Sequence, residues 1–122
     1  MSVTEVDYSK YPYKISEKKW VDWDGLFFTL DFIQPVNEDQ KKEIEKVYNG
    51  WGVKNQEGDI SIHFFSDPTW SKDLKSLQFW VDMGSTELPV LKDLLSLFSK
   101  YKNIIQELFI GRDPKPKEQS VS

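Results

Sequence analysis

Three stretches of the chain alternate with a period of two, the signature of strands that bury one side. In Leu26 to Gln34, Asp59 to Phe65 and Ser76 to Met83 one alternating set is apolar: Leu26, Phe28, Leu30 and Phe32; Ile60, Ile62 and Phe64; Leu77, Phe79, Val81 and Met83. The second set is mixed: Phe27, Thr29, Asp31 and Ile33; Ser61, His63 and Phe65; Gln78, Trp80 and Asp82. A face that mixes carboxylates with aromatic rings suits a sheet surface that meets something, whether a second copy, another protein or a ligand.

Between these stretches the pattern changes period. Asn37 has the character of a helix N-cap. Glu38 and Asp39 follow in the first turn, and Gln40 completes a capping box. The helix is expected to run to about Asn49 with Ile44, Val47 and Tyr48 buried, and Gly50 and Gly52 let the chain stop and turn, with Trp51 packing over the end. Gly84-Ser85-Thr86-Glu87 starts a second helix, with Pro89 in its first turn and Val90, Leu91, Leu94, Leu95, Phe98 and Tyr101 at helical spacing. Ile104 to Ile110 either continues that helix or forms a last strand. We read a strand, because Ile-Ile-Gln-Glu-Leu-Phe-Ile is rich in β-formers and the continued helix would be long for a small domain.

Turn signals place the remaining elements. Asp24-Gly25 marks a tight reversal, so Glu17 to Asp22 and Leu26 to Gln34 are expected to form a hairpin that Pro35 closes. Asp67-Pro68-Thr69 opens a turn that carries Trp70 toward the third strand. Residues 1–15 read as an N-terminal arm whose Tyr8, Tyr11 and Tyr13 lie on the domain. Residues 16–111 form a single domain, and 112–122 a polar, proline-broken, disordered tail. The order hairpin, helix, strand, strand, helix, strand contains βαββαβ. The expected fold class is therefore α+β, a ferredoxin-like sandwich with an antiparallel sheet, two helices on one face and an extra N-terminal hairpin strand.

Charge and composition narrow the partners. The 122 residues suffice for one core, and the absence of cysteine removes disulfides, thiolate metal sites and a cysteine nucleophile. No apolar run reaches membrane length, and the start carries neither a basic region nor an apolar one, so a soluble cytoplasmic protein without a secretory leader is expected. The net charge is −4, and Arg112 is the one arginine among 16 basic residues. Nucleic-acid recognition, which favours clustered cations and guanidinium forks, is not expected. Eight Phe, five Tyr and five Trp are many to hide in a chain of this size. Tryptophan is enriched at interface hot spots, so Trp80, Trp70 and Trp20 or Trp23 are the rings to question.

Candidate chemistry is thin. His63, the single histidine, could act as a base or pH switch beside Asp31 or Asp82, yet a lone histidine on a half-exposed strand is most often a surface residue. A metal would require His63 and carboxylates from separate strands with no second histidine, and no metal or other cofactor is expected. Asp22 and Asp24 are explained by their turn. Gly50-Trp51-Gly52 lacks the spacing of a phosphate-cradling loop. No catalytic motif is present, so an enzyme is not expected. The pattern points to a protein-binding module that uses Asp31, His63, Phe65, Trp70, Trp80 and Asp82. One form would be a bacterial immunity or inhibitor protein, a single acidic cysteine-free domain that neutralises a basic toxin. The alternative is a homodimer with a ligand-binding or catalytic cavity between two sheets, lined by Phe27, Ile33, Phe65 and Trp80 with His63 as its polar group.

Overall fold

The computed structural model describes residues 6–18 and 21–113. Among these the chain forms an α+β domain with one mixed sheet of six strands and two α-helices. The strands are β1 (Ile15–Glu17), β2 (Leu26–Phe32), β3 (Phe64–Phe65), β4 (Thr69–Trp70), β5 (Ser76–Asp82) and β6 (Ile105–Gly111). The helices are α1 (Glu38–Asn55) and α2 (Leu88–Phe98). The sheet order is β1-β6-β2-β5-β3, and β4 also pairs with β5. All ladders are antiparallel except β1 beside β6.

Alternation in β2 and β5 sets the core as expected. Leu26, Phe28 and Leu30 pair with Val81, Phe79 and Leu77, and all six are buried on one side of the sheet. Leu108 and Ile110 of β6 continue that side, so Ile104 to Ile110 is a strand in its main part, not an extension of α2. Both helices cover this face. Tyr48 of α1 and Phe98 of α2 bring their rings to 4.2 and 6.1 Å from Phe79. Tyr48 donates from its hydroxyl to the Ser66 carbonyl at 2.7 Å, and burial holds its phenol well above the ordinary tyrosine value. The N-terminal stretch lies on the domain: Val6 and Tyr13 are buried, and the Tyr13 hydroxyl donates to the Leu95 carbonyl. Residues 1–5 and 114–122, the outer parts of the expected arm and tail, lie outside the described residues.

The Asn37 capping box forms in both directions, the Asn37 side chain accepting from the Gln40 N–H and the Gln40 side chain from the Asn37 N–H. Asn37→Ala should therefore lower stability by about 1 kcal/mol, read as a shifted urea midpoint with an unchanged m value; an unshifted midpoint would mean that the cap contributes nothing. The helix does not stop at Asn49. It continues through Gly50 and Gly52 to Asn55, because Trp51 is buried within it and donates its indole N–H to the Val90 carbonyl at 3.0 Å. Gly52 is a contact rather than a terminator, since a Cβ there would lie 2.5 Å from the Phe65 ring.

Two further expectations are corrected. The Asp24-Gly25 reversal forms, with the Gly25 N–H donating to the Asp22 carbonyl at 3.1 Å, but it joins no two-stranded ladder. Both edges of β2 are taken, by β5 and β6, so the preceding strand has no place beside it. Ile15–Glu17 instead pairs in parallel with the far side of β6, Ile15 opposite Leu108 and Glu17 opposite Ile110. The second correction concerns Asp59 to Phe65, whose regular strand shrinks to Phe64–Phe65. Ile62 is buried with its N–H on the Asn55 carbonyl, a bend at His63 resets the alternation, and Ile60 is left 70% exposed. Pairing with β5 then decides the sides: Phe64 shares Asp82's and Phe65 shares Val81's. Between β3 and β4 the register against β5 slips by one residue, with Pro68 inside the slip.

Candidate functional site

Residues opposite one another on paired strands share a side, so the register lists the face that no helix covers. Running across the sheet, it carries Ser16, Glu107 and Phe109, then Phe27, Thr29 and Asp31, then Ser76, Gln78, Trp80 and Asp82, with Phe64 and Thr69 at the far edge. Thr29, flanked by Gln78 and Phe109, is buried at the centre of this face. The mixed face read in the alternation of β2 and β5 is thus present.

Its aromatic residues gather toward one end. Trp80 stands between Phe64, at a ring separation of 5.1 Å, and Phe27, at 6.4 Å, both tilted against it by nearly 60°. Phe109 extends the row and lies over Gly111, where a Cβ would come within 2.9 Å of its ring. Phe64 is 48% exposed, a large ring offered to solvent. Asp82 follows Trp80 on the same side. Its carboxylate accepts from the Gly84 N–H at 3.0 Å and lies 3.7 Å from His63 Nδ1.

The other end of the face is polar. Asp31 sits opposite both Ser76 and Glu107, and the Ser76 hydroxyl donates to its carboxylate at 3.0 Å. Ser16 donates to Glu107, and Lys14 reaches the same carboxylate at 3.9 Å. Asp31 is therefore six residues along β5 from Asp82, a rise of roughly 20 Å. The outward strand positions hold three carboxylates, Asp31, Asp82 and Glu107, and neither lysine nor arginine.

The structure thus brings together Trp80, Asp82 and His63, and sets Asp31 apart from them on the same face. It removes Phe65 and Trp70 from the group. Phe65 meets Tyr48 edge-on at 5.8 Å on the helix side, so it cannot line a cavity with Trp80. Trp70 lies in β4 opposite Leu77, stacks on Phe32 at 5.7 Å, and donates to the Glu45 carboxylate at 2.8 Å. Both rings turn inward because pairing with β5 puts them beside its core residues. Trp23 is also structural, its indole N–H held by the Thr86 carbonyl at 2.9 Å, while Trp20 lies outside the described residues. Phe64, Phe109 and Glu107 join the face instead. The last two follow from the alternation of Ile104 to Ile110, whereas nothing local in the sequence marks the phase of Phe64.

Beside the aromatic end lies a cleft of about 360 Å3, lined by Lys18, Asp22, Gly25, Trp80, Arg112 and Asp113. Arg112 is held against Asp22, Nε to carboxylate at 3.5 Å. Among the described residues no group of three or more histidine and carboxylate side chains could hold a metal ion. None of their helices is long and apolar enough to cross a membrane. Comparison with protein-family models, with curated proteins and with solved structures gives no match.

Proposed function

We propose that the protein is a small protein-binding module whose open sheet face engages a basic partner. The observation that carries this reading is the row of exposed Phe64 and half-buried Trp80 and Phe27, on a face whose outward strand positions hold three carboxylates and neither lysine nor arginine. Aromatic rings supply apolar area with little rotamer freedom to lose, and tryptophan is the residue most enriched among binding hot spots. The three carboxylates spread along the same face, with Asp82 at the aromatic end and Asp31 and Glu107 at the other, favour cationic partners and speed encounter. A second copy of the chain fits less well, because stacking this face on itself would oppose like charges.

The finer parts of the reading belong with it. The order β6-β2-β5-β3 with α1 and α2 on one face supports a ferredoxin-like βαββαβ unit, to which β1 is added at the β6 edge. An immunity or inhibitor protein acting in the cytoplasm on a basic toxin fits the acidic charge and the absence of cysteine. In this reading the protein is a binder and not an enzyme.

Trp80→Glu is the test. The wild-type protein should be monomeric by light scattering and should capture from its native host a basic protein that the variant does not retain. Against that purified partner the variant should bind at least about thirtyfold more weakly, the loss typical of one hot-spot residue. Equal binding by variant and wild type would remove the face from the interaction, and a wild-type dimer split by Trp80→Glu would replace the reading with self-association.

A further inference from the structure

Of the five tryptophans, four lie among the described residues. Three of those donate their indole N–H to the protein: Trp23 to the Thr86 carbonyl, Trp51 to the Val90 carbonyl and Trp70 to the Glu45 carboxylate, at 2.9, 3.0 and 2.8 Å. Trp80 finds no acceptor among the described residues. Its N–H sits beside Gly25: a Cβ built on that glycine would have Trp80 Nε1 as its nearest neighbour, at 3.8 Å. Any side chain at position 25 would lean against the N–H, whereas glycine leaves it open to the cleft.

The cleft holds two acceptor side chains, the carboxylates of Asp22 and Asp113, against three donor side chains. Its donors are the Trp80 N–H, the Lys18 ammonium and the Arg112 guanidinium. Asp22 is engaged with Arg112, and one carboxylate cannot use all five guanidinium donors. A ligand that satisfies the site must bring an acceptor oxygen, and beside two cations that oxygen is best an anion. Asp22 and Asp113 also line the space, so a single negative charge is tolerated better than two. The indole, with Phe27 behind it at 6.4 Å, forms an apolar wall, and about 360 Å3 is at the small end of ligand pockets. We propose that this cleft binds an organic carboxylate, held by the Trp80 N–H, Arg112 and Lys18 with its apolar body on the indole. The cleft shares Trp80 and Phe27 with the proposed partner face, but the assignment does not depend on partner binding, because a titration reads the cleft in the protein alone.

The experiment follows the tryptophan indole N–H resonances of the full chain by NMR during titration with phenylacetate, phenylacetamide and inorganic phosphate. Trp80→Phe identifies the Trp80 resonance. That resonance should move saturably with phenylacetate while the other indoles stay in place. Phenylacetamide, of the same shape without the charge, should leave it unmoved. Lys18 and Arg112 are exposed, so Lys18→Gln and Arg112→Gln keep the fold and should each weaken phenylacetate binding about tenfold, the loss of one charge-assisted hydrogen bond. The proposal is overturned by equal movement with phenylacetamide, by a shift that never saturates, by tighter binding of phosphate, or by unchanged affinity in Arg112→Gln.

Discussion

Phe79→Ala should lower the free energy of unfolding by about 3–5 kcal/mol, the range found for truncating a buried phenylalanine to alanine. Phe79 is 2% exposed, and its ring meets Phe28 from the neighbouring strand at 4.8 Å, Tyr48 from α1 at 4.2 Å and Phe98 from α2 at 6.1 Å. Three elements therefore rest on one side chain. A void at such a junction cannot be closed by moving one neighbour, because each is held by contacts of its own, so the upper half of the range is expected. Small domains have about 5–15 kcal/mol in all. Urea unfolding would read the loss directly, and a change below about 1 kcal/mol would mean that the helices do not bear on β5 as described.

Gly84→Ala should be nearly as damaging, for a different reason. Gly84 has φ +57, and an added Cβ would lie 2.5 Å from both the Ser61 carbonyl oxygen and the His63 ring. The left-handed backbone costs about 1–2 kcal/mol for a residue with a Cβ. Overpacking adds roughly 1–3 kcal/mol, since a backbone carbonyl cannot swing aside as a flexible side chain can. Together they predict a loss of about 2–5 kcal/mol in urea unfolding. Gly58 separates the two terms: its φ is +92, yet a Cβ there meets nothing within 4 Å. Gly58→Ala should show the backbone contribution alone. If the two variants lost equal stability, the close approach of Ser61 and His63 to Gly84 would be refuted.

What the sequence made legible was local. The alternation in β2 and β5, the Asn37 capping box and the apolar stripe of α2 each depend on neighbours a few residues away, and each appears where the pattern puts it. Parallel pairing of β1 with β6 joins Ile15 to Leu108, and no composition at either position announces the other. The same limit governs Phe64 and Phe65. A period of two identifies opposite sides without saying which is inward, and the bend at His63 resets the count after Ile62. Trp80 and Asp82 could be placed on the open face because β5 alternates without interruption from Ser76. Trp70 could not be placed on its true side, since a ring in a turn has no period at all until its pairing with Leu77 is known. The cleft was hidden for another reason, because Lys18, Gly25, Trp80 and Arg112 come from four separate stretches of the chain.

The one-residue slip between β3 and β4 has a consequence for how this molecule can associate. A long, flat outer strand offers a row of unpaired backbone groups on which another chain can add itself, the route to fibrils and swapped dimers. Here that border is broken at Ser66 to Pro68, where Ser66 turns both its N–H and its hydroxyl onto Trp80 of β5 and Pro68 has no N–H to give. The opposite border, β1, is three residues long, and the Tyr8 hydroxyl is tied to Glu17 at its end. Neither border is the long, flat strand that serves best as such a template. Among the described residues both borders disfavour strand-by-strand addition, so contacts between molecules would fall to side chains rather than to the backbone.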